Sequence, residues 1–172
     1  MKPHASNIIL IGMPGSGKST VGVILAKQLS LGFVDTDILI QTAQGRSLQS
    51  IVDLEGYLSL REIEERILLN LNCSNQVIAT GGSAAYSRPA MTRLKQGSTV
   101  VFLHADLATL NQRVKDFSQR GLAKCLDQTL DDLFRERISL YSTYADITID
   151  TRRLSHEEVC ARIIEQLAEH RQ

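Results

Sequence analysis

Apolar and polar positions along the chain fall into short β-rich runs that alternate with helical ones. "NIILIG" (7–12) is apolar at consecutive positions, the pattern of a strand buried on both faces. Val21, Ile24, Leu25 and Leu29 then recur at helical spacing as far as Gly32, where a second strand, "FVDTD", begins. Leu60, Ile63, Ile67, Leu68 and Leu71 mark a long amphipathic helix opening soon after Gly56. "QVIATGG" reads as a strand running into glycines. "SRPAMTRLKQG" opens with Ser87 and Pro89, which fit a helix entry. "STVVFLHA" is a further strand, and Asp106 is placed to cap the helix that follows. From about Phe117 to Gln128 there is no clean period, so this stretch reads as a mobile loop. A helix through Leu130, Phe134 and Leu140, the strand "ITID", and a last helix capped by Ser155 with Glu158 three residues on complete the series. Strands alternating with helices predict an α/β fold with a parallel sheet covered on both faces.

Composition narrows this picture without changing it. The 172 residues, 43% of them hydrophobic and 22% charged, suit one domain with a real core and a cleft. Lysine plus arginine balances aspartate plus glutamate at 19 each, so no overall basic field points to nucleic acid or an anionic membrane. No apolar run approaches a membrane span, and no cleavable signal pattern precedes the first strand, so a cytoplasmic location is expected. Cys73, Cys125 and Cys160 are scattered and include no CxxC pair, which fits reduced thiols. His4, His104, His156 and His170 fall in no motif, and no role is expected of them.

The chemistry begins at "GMPGSGKST" (12–20). Gly12, Gly17, Lys18 and Ser19 fill the pattern GxxxxGK[ST], with a strand before and a helix after, the context a P-loop requires. Its glycines let backbone N–H groups curl around phosphate oxygens, and the helix N-terminus adds positive dipole. Lys18 supplies a point charge for the β- and γ-phosphates, and Ser19 a magnesium ligand. ATP with Mg2+ is therefore the expected donor, held by Gly15, Ser16, Gly17, Lys18, Ser19 and Thr20.

Three further patches bear on the acceptor. Asp35 and Asp37, two apart on the expected strand, would share one side of it near the carboxyl edge where open α/β sheets bind ligands. One could hold magnesium through water and the other take an acceptor hydroxyl, while a helix cap at Asp37 is the competing structural role. Arg61 and Glu64, three apart on a helix, could equally form a surface ion pair. Gly81 and Gly82 follow a strand, where small residues let a substrate lie against backbone or simply make a turn.

Taken in order, "DTD", "LREIE", "GGS", "RGLA" and "RISLY" resemble the series DxD, FRxxE, GGG, RPLL and RxPLY of the shikimate kinase family, over nearly the whole chain. These are small P-loop kinases that phosphorylate the 3-hydroxyl of shikimate in aromatic amino-acid biosynthesis. The resemblance implies a three-layer α/β/α P-loop kinase fold with a five-stranded parallel sheet and a mobile lid over about residues 112–127. It implies that Asp37 and Gly82 contact the substrate hydroxyls and ring, that Arg61 and Arg137 bind its carboxylate, and that Asp35 assists magnesium. Arg120 would reach in from the lid and join Lys18 and Asp37 in catalysis. Arg113 would lie against adenine, with Arg153 in the adenine-side loop "DTRR". The partner expected is a small-molecule substrate, shikimate or a similar hydroxylated carboxylate, with no nucleic acid or membrane partner, and the protein is expected to be a monomer.

The chain also departs from that pattern. Ser83 replaces the third glycine, at a cost of about 1–2 kcal/mol if its backbone is left-handed. Leu60 stands for phenylalanine, and "EGYLSL" lacks the acidic residue usual just before the phenylalanine-arginine pair. Gly121 and Ser139 replace two prolines, which should loosen the lid and a turn after Arg137. These changes reshape the acceptor wall. They leave open a kinase for another metabolite, gluconate-like or a nucleoside monophosphate, and an ATP-binding regulatory module without turnover.

Overall fold

The computed structural model describes residues 7–113, 121–125 and 127–170. Five strands, β1 (Asn7–Ile11), β2 (Gly32–Asp35), β3 (Gln76–Ala79), β4 (Ser98–His104) and β5 (Ile147–Asp150), form one sheet in the order β2-β3-β1-β4-β5. Every pairing is parallel, with Ile9 of central β1 opposite Ile78 of β3 and Val100 of β4. Consecutive apolar residues on β1 are explained by what lies on each side. Ile9 and Ile11 face a cluster with Leu68, Met91 and Tyr141. Ile8 and Leu10 face the opposite cluster with Leu25, Val159 and Ile163. Each such side chain stabilises the fold by about 1.5–3 kcal/mol through burial.

The helices are α1 (Lys18–Leu29), α2 (Thr36–Gln44), α3 (Leu48–Asn70), α4 (Arg88–Lys95), α5 (Leu107–Arg113), α6 (Leu130–Tyr144) and α7 (His156–His170). The first and last cover one sheet face, while α3, α4 and α6 cover the other, giving the expected three layers. Ser87 caps α4 through the Ala90 N–H, and Asp106 accepts from the Thr109 N–H. Ser155 and Glu158 exchange reciprocal bonds at the start of α7. Among the described residues no helix is long and apolar enough to cross a membrane.

Three local expectations are corrected. Strand β2 stops at Asp35 because that side chain accepts from the N–H groups of Asp37 and Ile38 and caps α2, so Asp37 lies in the first helical turn and Asp35, not Asp37, is the cap. The long helix starts earlier than Gly56, at Leu48, and Gly56 breaks it with φ 84° and ψ 166°, a conformation open to glycine. No turn follows Arg137, since α6 runs on through Ser139 to Tyr144, where a proline would have cost a helical hydrogen bond.

Beyond the carboxyl edge of the sheet, Ile40, Ile51, Leu60, Ile63 and Ala123 form a third, smaller cluster. It joins α2, α3 and the segment 121–125 into a wall across from the P-loop.

Candidate active site

The turn from β1 into α1 depends on glycine conformation. Gly12, Gly15 and Gly17 have φ of 145°, 84° and 99°, and a Cβ on Gly12 would lie 2.7 Å from the Leu103 carbonyl oxygen. Inside this cradle the Lys18 ammonium donates to the carbonyls of Gly12 and Met13, at 2.8 and 2.9 Å. Burial pulls it down to about 8, against the opposing pull of Asp37. Gly15, Gly17, Ser19 and Thr20 line the same cleft, while Ser16 is buried beneath it with its hydroxyl unpartnered. Ser19 Oγ donates to Asp35 Oδ2 at 2.6 Å. A hydroxyl and a carboxylate side by side are hard oxygen donors that suit Mg2+, which takes most of its ligands from water and phosphate. Among the described residues no three His, Cys, Asp or Glu side chains cluster as a metal site.

The cleft encloses about 590 Å³ and runs from the P-loop to Arg137. At its far end Arg137, 1% exposed, and Arg61 each donate an Nη2 hydrogen bond to one acceptor, the Ala123 carbonyl, at 2.8 and 3.0 Å. The Nε of each arginine is buried without a partner. Tyr86 sets the Arg61 plane, its ring centroid 3.6 Å from Cζ. Arg61 is not on the cleft surface itself but borders an adjoining groove of about 180 Å³, meeting Arg137 at the shared carbonyl. Two guanidinium groups with spare donors at one point can grip a carboxylate.

Between the two ends lies a pair of carboxylates. Burial pushes Asp37 above its ordinary range, with Lys18 opposing. Glu64, 2% exposed, makes no ion pair with Arg61; it accepts instead from the Ser83 hydroxyl, which corrects the surface-pair alternative. Burial pushes Glu64 up to about 7, and the Ser83 bond pulls it down. Gly81 and Gly82 are tight: a Cβ on Gly81 would meet Glu64 Oε1 and lie 2.7 Å from Asp37 Oδ1, and one on Gly82 would lie 2.7 Å from Arg137 Nη1. Tyr141 anchors this turn by donating to the Gly82 carbonyl at 2.6 Å. Ser83 itself has φ −99° and ψ 0°, so the left-handed strain considered for it is absent.

On the third side, Arg113 bridges the P-loop and the turn after β5, donating to the Thr151 carbonyl at 3.1 Å and to Ser16 O at 3.5 Å. Arg153, exposed with φ 58°, borders a second cavity that Arg113 shares. Arg120, with residues 114–120 and 126 of the expected lid, lies outside the described residues. Tyr86 and the Ala123 carbonyl were not legible as site groups. Ser83 was legible as a change in the acceptor wall and Glu64 as the E of "LREIE", but not the bond between them, since the partner of Glu64 is not on its own helix. His156, given no role from sequence, lines the cleft, its Nε2 3.6 Å from where a Gly17 Cβ would be.

The chain is similar in sequence and in fold to known proteins. A family model described as shikimate kinase matches residues 14–168. The chain is 39% identical over 159 residues to a shikimate kinase of Paracidovorax citrulli, covering 89% of this chain and 86% of that protein. It is 36% identical over 163 residues to one of Thermodesulfovibrio yellowstonii, covering 93% and 94%. Its fold superposes on a shikimate kinase from Acinetobacter baumannii in complex with shikimate with a TM-score of 0.88 and 32% identity, over 95% of this chain and 93% of that one.

Proposed function

The chain belongs to the shikimate kinase family, and from that premise we propose that it transfers the γ-phosphoryl group of ATP to the 3-hydroxyl of shikimate. The observation that carries the reading is one cleft with a phosphate cradle around Lys18 at one end and the Arg61–Arg137 pair at the other.

The residues divide the work by position. Backbone N–H groups of residues 15–20 hold the donor phosphates at the start of α1. Lys18 exchanges the carbonyls of Gly12 and Met13 for the β- and γ-phosphates, giving its buried charge a stronger partner. Ser19 and Asp35 would hold Mg2+, which supplies charge neutralisation on the phosphates when bound. Arg113 and Arg153 border the adenine side. Arg61 and Arg137 take the acceptor carboxylate, and Gly82, which admits no side chain, lets the ring lie against the backbone. Asp37 orients the acceptor hydroxyl and receives its proton as the oxygen attacks phosphorus and the bond to ADP breaks. Burial, by raising the proton affinity of Asp37, suits it to that task. The same reading has the enzyme act as a cytoplasmic monomer on a free small molecule, with no nucleic acid or membrane partner.

A coupled ADP-release assay on the wild-type protein, run across shikimate, gluconate and nucleoside monophosphates, is the test. Turnover with shikimate is expected. Preference for another acceptor would overturn the acceptor assignment, and saturable ATP binding without turnover on any compound would leave a binding module.

A further inference from the structure

Ser83 stands where the family pattern has glycine, and it is not a passive replacement. Its backbone is unstrained, its side chain is buried, and its hydroxyl donates to Glu64 Oε2. That bond leaves Glu64 Oε1 buried and without a partner. The same oxygen converges with Asp37 Oδ1 over the Cα of Gly81, in a corner that no Cβ could share, and both carboxylates line the cleft. A buried carboxylate oxygen with no donor is costly, and an acceptor carrying several hydroxyls can supply one. We propose that Ser83 is a positioning residue for the acceptor site, holding Glu64 so that its free oxygen faces the acceptor hydroxyls beside Asp37. This rests on the reading that the acceptor lies at the Gly82 end of the cleft.

A pH dependence follows from the groups around Glu64. Lys18 faces it from α1, Asp37 from α2, and Arg137 and Tyr141 from α6, while Arg61 sits on its own helix. Burial raises Glu64 to about 7; the Ser83 bond and the charges of Arg137 and Lys18 pull it down, and Asp37 pushes it up. The ionised form accepts hydroxyl hydrogens at Oε1; a proton taken up there, with Oε2 still accepting from Ser83, turns that oxygen from acceptor to donor. Acceptor capture should therefore fall as pH drops through about 7. Without the Ser83 hydroxyl, one influence stabilising the charge is gone, so the acidic limb should move to higher pH.

The experiment compares wild type with Ser83→Ala. kcat/KM for shikimate at saturating ATP and kcat/KM for ATP are each measured against pH, and the Glu64 carboxyl is titrated by carbon-13 NMR. The expected result is an upward move of the acceptor limb and of the Glu64 midpoint by roughly half a pH unit or more, with the ATP profile unmoved. Acceptor limb and carboxyl midpoint both unchanged would overturn the proposal. A carboxyl shift without movement of the acceptor limb would overturn it too, confining Ser83 to a structural contact. If wild type fails to turn over shikimate, the acceptor reading falls, while the NMR titration still decides the Ser83–Glu64 coupling. Ser83→Gly, a residue free to adopt this backbone, supplies the same comparison should Ser83→Ala not fold.

Discussion

Glu64 sits 2% exposed with one carboxylate oxygen unpartnered, an arrangement that a core selected for stability alone would avoid. Its cost depends on pH in a direction that can be worked out. Folding raises the group from an ordinary 4.5 to about 7. Below about 4.5 it is protonated in both states and costs nothing. Between the two values the native state holds a proton that the unfolded chain has released, so stability falls as pH rises, and above about 7 the whole cost is present. Glu64→Gln should therefore stabilise the protein at about pH 8, by up to about 3 kcal/mol, and much less near pH 4.5. Thermal unfolding of both proteins across that range checks it; a gain independent of pH would show that ionisation is not the source. The expected loss of acceptor affinity in the same variant would make Glu64 a case of stability given up for a site.

The segment 121–125 is held to α3 by a contact that depends on Gly121. Its N–H donates to Gln49 Oε1 at 2.8 Å, its φ is 60°, and a Cβ there would lie 2.6 Å from the Leu48 carbonyl carbon. The glycine, expected to loosen this region, instead fits a backbone that proline cannot adopt, since proline holds φ near −65° and has no N–H. Gly121→Pro, which restores the family pattern, should thus detach the segment and with it the Ala123 carbonyl that both arginines share. Faster amide hydrogen exchange over 121–125 and a roughly tenfold higher KM for the acceptor are expected, with a smaller change for ATP. Unaltered exchange would show that the contact is dispensable. Elements of this kind were legible wherever local chemistry decides them, as with the caps at Ser87, Asp106 and Ser155 and the glycines of the P-loop. Where two local signals compete, the reading slipped. "FVDTD" opens as a strand, yet the Asp35 side chain accepts from the N–H groups of Asp37 and Ile38 and starts a helix one residue later.

What no local pattern could show is the meeting of distant parts: Ser83 with Glu64, Tyr141 with the Gly82 carbonyl, and Arg61 with Arg137 at Ala123. The P-loop and the ordered arginines were visible as types and spacings, whereas the orientation that makes them a site comes from three layers packing onto one sheet edge. That assembly also governs how the molecule finds an anionic acceptor. With 19 basic and 19 acidic residues the formal net charge is zero, so little long-range field draws a carboxylate in. Selection must then fall to the arginine pair, of which Arg137 is 1% exposed and poorly screened by salt. Two effects should separate. Raising ionic strength from about 0.05 to 0.3 M, at saturating ATP and Mg2+, should change acceptor kcat/KM by less than about threefold. Replacing the acceptor carboxylate by a neutral amide should lower it about 100-fold, because the arginine donors would lose their charged partner in a buried corner. If salt instead suppresses turnover as strongly as the amide does, capture is governed by the screened field of exposed charges, and the buried pair does not select the acceptor.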